Sequence, residues 1–230
     1  MSTPSGNTPA TPSWQGQMAA PTRIVLVRHG QTALSVDRRY SGRGNPPLTD
    51  LGVTQALRAA QRAASEQPIA AVVSSPLDRA RQTAQAITDL VGGEVVAEDD
   101  LIENDFGAWE GLTFAEAKAR DPEVHARWLG DESVPAPGGE SFTQTDARVI
   151  AANDLLLQRY PGQTVVVVSH VTPIKSLLRH ALDVGPQLLF RLHLDLASVS
   201  VAEFFPDGGA VVRCVNDTSH LRRSDTAHLR

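Results

Sequence analysis

The stretch RIVLVRHGQT, Arg23 to Thr32, sets the fold, because the aliphatic run Ile24-Val25-Leu26-Val27 leads straight into a guanidinium, an imidazole and a glycine. A strand with one face in water alternates apolar and polar side chains, whereas an unbroken aliphatic run belongs to a strand covered on both faces, as in a parallel sheet. Arg28-His29-Gly30 then stands where that buried strand surfaces.

The same texture recurs along the chain. Ile69 to Val73 and Val165 to Val168 read as further buried strands, and Glu94 to Ala97 as a short one. Between them, Val53, Ala56, Leu57, Ala60 and Ala64 recur at helical spacing after Thr49 or Asp50 as cap. Pro76 to Leu90 reads as a helix with proline near its first turn and Gly92-Gly93 past its end. Phe142 to Tyr160 and Pro173 to Leu182 are two more helices, and Ser198 to Phe205 with Ala210 to Val215 a hairpin around Pro206-Asp207-Gly208-Gly209. Asp99 to Gly139 is acidic and proline-rich, an excursion around one or two short helices and not part of the core. The alternation predicts an α/β fold: a doubly wound, mostly parallel sheet with helices on both faces and an antiparallel edge.

With 230 residues, 41% of them hydrophobic, the chain fills one compact α/β domain or two small ones. A formal net charge of −5 speaks against nucleic acid gripped by a globally basic surface, so any anion site must be local. The single cysteine, Cys214, cannot form an intrachain disulfide, and no spaced Cys/His set marks a structural zinc site. Neither a basic-then-apolar leader nor a membrane-length apolar run is present, and a cytoplasmic location is expected. Residues 1–20, rich in Ser, Thr, Pro and Gly, read as a disordered leader or interdomain linker, 21–217 as the folded domain and 218–230 as a C-terminal tail.

Three buried runs end in reactive or anion-binding residues: Val27 in Arg28-His29-Gly30, Val73 in Ser74-Ser75-Pro76-Leu77-Asp78-Arg79, and Val168 in Ser169-His170. In a parallel sheet these ends share one edge, where ligands bind. Two arginines and two histidines brought together there suit a doubly charged oxyanion, because the guanidinium fork matches phosphate oxygens and helix N-termini add N–H donors. Taken singly, each has an ordinary reading: Arg28-His29-Gly30 as a polar turn, His170 as a helix cap, Arg79 as a solvated helix charge.

RHGQT (28–32), NPPLTDLGVTQA (45–56), SSPLDRARQTA (74–84), LIENDFGAWEGLT (101–113), PGGES (137–141) and VVSHVTPIKSLL (167–178) together resemble the successive motifs of the histidine phosphatase superfamily, the phosphoglycerate-mutase-like fold. The resemblance spans roughly residues 22–217 and is nearest to the α-ribazole phosphatase-like acid phosphatases, in particular the domain that follows a ribonuclease H domain in some actinobacterial proteins. On that likeness residues 1–20 are the remnant of a linker. The resemblance implies that His29 is the nucleophile that becomes phosphohistidine, that Arg28, Arg79 and His170 hold the phosphoryl oxygens, and that Glu103 is the proton donor. It also implies substrate contacts from Gly30, Ser35, Ser41, Gly42 and Val171, and no metal or other cofactor. Elementary chemistry agrees: attack requires a neutral imidazole, which nearby arginines favour, and a carboxyl beside a phosphate dianion holds a proton it can deliver to a leaving alkoxide.

Some positions depart from the family pattern. Ser35 stands where relatives often have asparagine, and Val171-Thr172 follow His170 where many have glycine. Glu98, Asp99, Asp100 and Asp105 compete with Glu103, and that acidic run with His193 and Asp195 raises a divalent-metal hydrolase, disfavoured because no spaced ligand set converges there. His193-Leu194-Asp195 therefore reads as structural. Arg38, Arg39 and Arg43 either attract an anionic substrate or form a solvated basic loop; Phe106, Trp109 and Phe114 either line a pocket or anchor the excursion. The expected activity is metal-independent hydrolysis of a small phosphomonoester, such as α-ribazole 5'-phosphate, with phosphate as product. The alternatives are a phosphoglycerate mutase and a non-catalytic phospho-ligand-binding module.

Overall fold

In the computed structural model of the protein, the described residues are 19–221. All but two residues of the expected leader, and all but four of the expected tail, lie outside them. The order is β1 (Thr22–Arg28), α1 (Ala33–Val36), α2 (Asp50–Ala64), β2 (Ile69–Ser74), α3 (Asp78–Val91), β3 (Val95–Ala97), α4 (Phe114–Arg120), α5 (Pro122–Gly130), α6 (Phe142–Arg159), β4 (Thr164–Ser169), α7 (Val171–Leu182), α8 (Leu188–Arg191), β5 (Val199–Phe204) and β6 (Ala210–Asp217). One six-stranded sheet runs β3-β2-β4-β1-β5-β6. The β1–β4, β2–β4 and β2–β3 pairs are parallel, while β5 and β6 add the antiparallel edge.

The aliphatic runs are covered on both faces because successive side chains point to opposite sides. Ile24, Leu26, Val165 and Val167 meet Val149, Ala152 and Leu156 of α6 and Ile174, Leu177 and Leu178 of α7. Val25, Val27, Val166 and Val168 meet Ala56, Ala59, Ala60 and Ala63 of α2 and Ala80, Ala84 and Ile87 of α3. Each such Val, Leu or Ile contributes about 1.5–3 kcal/mol by leaving water.

The buried face of α2 differs from the one expected. Val53 and Leu57 are 48% and 53% exposed, whereas Gln55, Ala56, Ala59, Ala60 and Ala63 are buried. Close approach to the sheet and to α3 selects small side chains, so volume decides this face and not hydrophobicity. Gln55 is retained inside because its Oε1 accepts the Gln31 N–H at 2.9 Å. α3 starts at Asp78, with extended Leu77 as its cap and Pro76 before it. α7 starts at Val171, which places Pro173 in a first turn that needs no N–H from it. The four-residue helices α1 and α8 are too short to show a period.

The segment after β3 is also more than an excursion. Phe106, Trp109, Ala117, Trp128, Val134, Ala136, Phe142 and Leu189 form a second core. The Trp109 and Trp128 rings meet edge to face with centroids 5.5 Å apart, and Trp109 Nε1–H donates to Asp121 at 2.8 Å. Trp109 and Phe106 thus anchor this subdomain, while Phe114 is about half exposed.

Candidate active site

Parallel register brings the three strand ends to one edge. Arg28 is level with Ser169 and Ser74 with Val168; beyond them the His29 N–H donates to Ser169 O at 3.1 Å and the Ser75 N–H to Val168 O at 3.0 Å. The side chains of His29, Ser75 and His170 are thereby held side by side by main-chain bonds.

His29 is buried, and its Nδ1 lies 2.7 Å from Gly30 O. A carbonyl only accepts, so Nδ1 carries the proton and Nε2 presents a lone pair. Burial, then the Arg79 and Arg28 cations, hold this imidazole well below its ordinary pKa. His170 is fully buried, its ring centroid 5.0 Å from that of His29, and its Nε2 is 2.7 Å from Ser75 Oγ. Burial followed by Arg79, His29 and Arg28 depresses its pKa as well. Both rings are neutral near pH 7.

The arginines are fixed by backbone carbonyls. Arg28 Nη1 donates to Leu194 O at 2.5 Å, and burial lowers its pKa to about 10 despite Glu103 and Asp195. Arg79 is fully buried, not a solvated helix charge. Its guanidinium donates to Gly44 O at 2.7 Å, Gly42 O at 3.0 Å and Ser41 O at 3.2 Å. The Glu110 carboxylate binds the same loop from the other side, accepting the Gly42 and Gly44 N–H groups at 2.8 and 3.2 Å. Burial lowers the Arg79 pKa, opposed by Glu103 and Glu110.

Among the competing acids, Glu103 is the one that lines the cleft. Its Oε1 accepts the Asn104 N–H at 2.8 Å and the Thr172 N–H of α7 at 3.2 Å. Arg148 of α6 donates to the carbonyls of Asp100, Ile102 and Glu103 and pairs with Glu140, clamping the loop that carries the carboxylate. Three buried nitrogens, Arg28 Nε, Arg79 Nε and His170 Nδ1, have no hydrogen-bond partner among the described residues. Buried polar atoms are usually paired, so these three, together with Tyr40 Oη and Ser41 Oγ of the cleft wall, which are unpaired too, suit a polar ligand.

The cleft above has a volume of about 460 Å³ and is lined by Arg28, His29, Ser35, Ser41, Glu103 and Val171 among others. Arg79 and His170, both fully buried, do not line it. Ser35 reaches the wall, but its hydroxyl donates to Thr32 O at 2.7 Å and accepts the Thr32 N–H at 2.9 Å, a capping box that occupies its proton. Ser41 lines the cleft and offers its carbonyl to Arg79. Gly30 and Gly42 stand behind the surface: a Cβ at Gly30 would meet Gly52 O at 2.4 Å, and one at Gly42 would meet Asn104 O at 2.5 Å. Gly30 is therefore needed for the crossing with α2.

Sequence reasoning gave no individual role to Ser75, Thr172 or Arg148, nor to the rim residues Thr32, Tyr40 and Leu196. A charged residue between Thr145 and Val149, on the inward stripe of a helix, was the available signal for Arg148. Arg38, Arg39, Phe106 and His193 line the cleft too; Arg39 pairs with Glu116, Arg43 with Glu140, and His193 with Asp195 at 3.1 Å. His193 thus borders the cleft, while Leu194 is buried and offers its carbonyl to Arg28. Among the described residues no group of three or more His, Cys, Asp and Glu is arranged to hold a metal ion, and no helix is long and apolar enough to cross a membrane.

Comparison with known proteins agrees with this geometry. The model of the histidine phosphatase superfamily (branch 1) matches residues 24–218. A bifunctional protein of Mycobacterium tuberculosis is 57% identical over 213 residues, a match covering 93% of this chain but 58% of that protein, so the chain spans less than two thirds of its length. A phosphoserine phosphatase variant of Entamoeba histolytica, solved with phosphoserine, superimposes with a TM-score of 0.79 at 28% identity, covering 87% of this chain and 100% of its own. The α-ribazole phosphatase of Shigella flexneri gives a TM-score of 0.75 at 27% identity, covering 85% and 96%. With the family model matched over nearly the whole described domain, the chain belongs to the histidine phosphatase superfamily, branch 1.

Proposed function

We propose that the protein hydrolyses small phosphomonoesters without a metal, through a phosphohistidine on His29. The observation that carries this reading is the trio of unpartnered buried nitrogens, Arg28 Nε, Arg79 Nε and His170 Nδ1, beside a neutral imidazole whose Nε2 is bare. In the first half-reaction the His29 Nε2 lone pair forms the N–P bond as the ester P–O bond breaks, and Glu103, acting as general acid, gives a proton to the departing alkoxide. In the second, water attacks phosphorus, Glu103 takes its proton, the N–P bond breaks and phosphate leaves. Arg28, Arg79, His170 and the Val171 N–H at the start of α7 serve the phosphoryl oxygens, where charge accumulates.

Binding phosphate alone requires neither a nucleophile nor a proton donor, so His29 and Glu103 favour catalysis over a binding module. A mutase would share this set and return the phosphoryl group to an acceptor other than water. Relatives act on phosphoserine and α-ribazole phosphate, and we include both as candidate substrates. Resemblance alone supports a ribonuclease H domain as the covalent neighbour in the parent protein. The test is a steady-state screen of phosphomonoesters in excess chelator, with 3-phosphoglycerate assayed with and without a bisphosphoglycerate primer. Phosphate release that survives chelation supports the reading; turnover only with added metal, or phosphoryl transfer only between phosphoglycerates, overturns it.

A further inference from the structure

Ser75 is fully buried at the C-terminal end of β2, and proton counting gives it a task beyond packing. Its Oγ accepts the Leu77 N–H at 3.4 Å, and its other neighbour is His170 Nε2 at 2.7 Å. Two arrangements are available. If His170 Nε2 held the ring proton, it and Leu77 would both donate to Ser75 Oγ. The Ser75 hydroxyl proton would then have no acceptor, and His170 Nδ1 would be a bare buried acceptor without a donor. If the Ser75 O–H donates to Nε2 instead, both Ser75 contacts are satisfied and one group remains unpaired, the Nδ1–H.

We infer that Ser75 is a positioning residue that fixes His170 in its Nδ1–H tautomer, so that His170 presents a neutral N–H donor to a phosphoryl oxygen. The inference deepens the phosphatase reading and rests on it for the identity of the acceptor, though not for the tautomer. Its consequence is a division of labour between two adjacent imidazoles. In both rings Nδ1 carries the hydrogen, but Gly30 O turns that hydrogen of His29 away from the ligand, leaving Nε2 to attack, whereas Ser75 occupies Nε2 of His170 and leaves its Nδ1–H to donate. A ring free to exchange tautomers would spend part of its time with a lone pair facing the phosphoryl oxygens, a repulsive contact.

The direct test is a long-range proton–nitrogen correlation spectrum of the folded chain at pH 7.5, recorded for the wild type, Ser75→Ala and Ser75→Thr, alongside kcat/KM on a small aryl phosphate. The expected wild-type spectrum shows His170 as the Nδ1–H tautomer. Ser75→Ala shifts that population and lowers kcat/KM by roughly 10- to 100-fold, and the hydroxyl of Ser75→Thr restores both. A wild-type His170 with its hydrogen on Nε2, or a Ser75→Ala protein with an unchanged tautomer, overturns the inference. If Ser75→Ala does not fold, the wild-type spectrum decides. If no phosphomonoester is turned over while the tautomers behave as stated, the phosphatase reading fails and the assignment of Ser75 stands.

Discussion

The imidazole rings of His29 and His170 stand 5.0 Å apart, centroid to centroid, at a tilt of 58°, with Arg79 and Arg28 acting on both. Four basic groups in one buried pocket cannot all be charged, and the two that yield are the histidines. Their folded pKa values lie well below 6.5 because burial, more than the neighbouring cations, penalises the imidazolium.

A pH dependence follows, with a definite sign. Below pH 6.5 the unfolded chain takes up protons on these two histidines that the folded chain refuses. Their contribution to stability is intact above that value and is lost as pH falls towards the depressed folded pKa values. The thermal midpoint should therefore drop between pH 6.5 and pH 5, and His170→Asn should flatten part of that slope. Over the same range kcat/KM should show no inflection at the ordinary histidine pKa, since His29 remains a nucleophile. An activity that halves near pH 6.5 would contradict the neutral-nucleophile account.

Glu103 is fixed by two backbone N–H groups within reach of the cleft, where a proton donor would have to stand. Glu103→Gln should lower kcat by about 100- to 10,000-fold on alkyl phosphates. On an aryl phosphate whose leaving group departs unprotonated, formation of the phosphoenzyme should fall far less. Burst kinetics with paired alkyl and aryl esters checks this; equal losses on both would remove Glu103 from the proton-transfer role.

Arg148 ties the carbonyls of Asp100, Ile102 and Glu103 to α6 and pairs with Glu140, whose carboxyl it holds below the usual range against the effect of burial. Arg148→Met leaves Glu140 largely buried with weaker partners, Arg43 at 3.2 Å and the Asp105 N–H at 3.4 Å. The expected loss is about 3 kcal/mol in denaturant unfolding, together with a fall in kcat as the Glu103 loop loosens. A variant with wild-type stability would show that the clamp is dispensable.

Gly30 and Gly52 cross at backbone distance, and a methyl at Gly30 would sit 2.4 Å from Gly52 O. Gly30→Ala should cost about 1–3 kcal/mol and displace the neighbouring His29. Urea titration with a parallel activity assay tests it; a fully stable and active variant would show that α2 can yield without disturbing the site.

Much of this was legible in the sequence, for identifiable reasons. Ile24 to Val27 and Val165 to Val168 are apolar without interruption, which parallel strands between two helical layers require, and the residues following them had to share an edge. The helices were harder. Hydrophobicity pointed Val53 and Leu57 inward, yet Ala59 and Ala63 face the sheet because the space there is small. Taken singly Arg79 reads as an ordinary helical charge, and the family resemblance, with its place after a strand end, was what marked it for the site, since the carbonyls of Ser41, Gly42 and Gly44 that hold it come from a distant loop. Trp109 and Trp128 carry no periodic signal, and their joint core emerges only once the segment between β3 and α6 closes on itself. Ser75 next to a strand end has no distinctive spacing at all; its importance lies in a proton shared with a residue 95 positions away.

The central claim is that His29 Nε2 becomes bonded to phosphorus during turnover. Rapid quenching in base with a phosphomonoester substrate and excess chelator, followed by peptide mapping, measures this directly. The account predicts base-stable, acid-labile phosphate on the peptide containing His29, absent from His29→Ala, which should also lose turnover by roughly a thousandfold or more. Full hydrolysis by His29→Ala, or wild-type turnover with no phosphate ever found on His29, would contradict it.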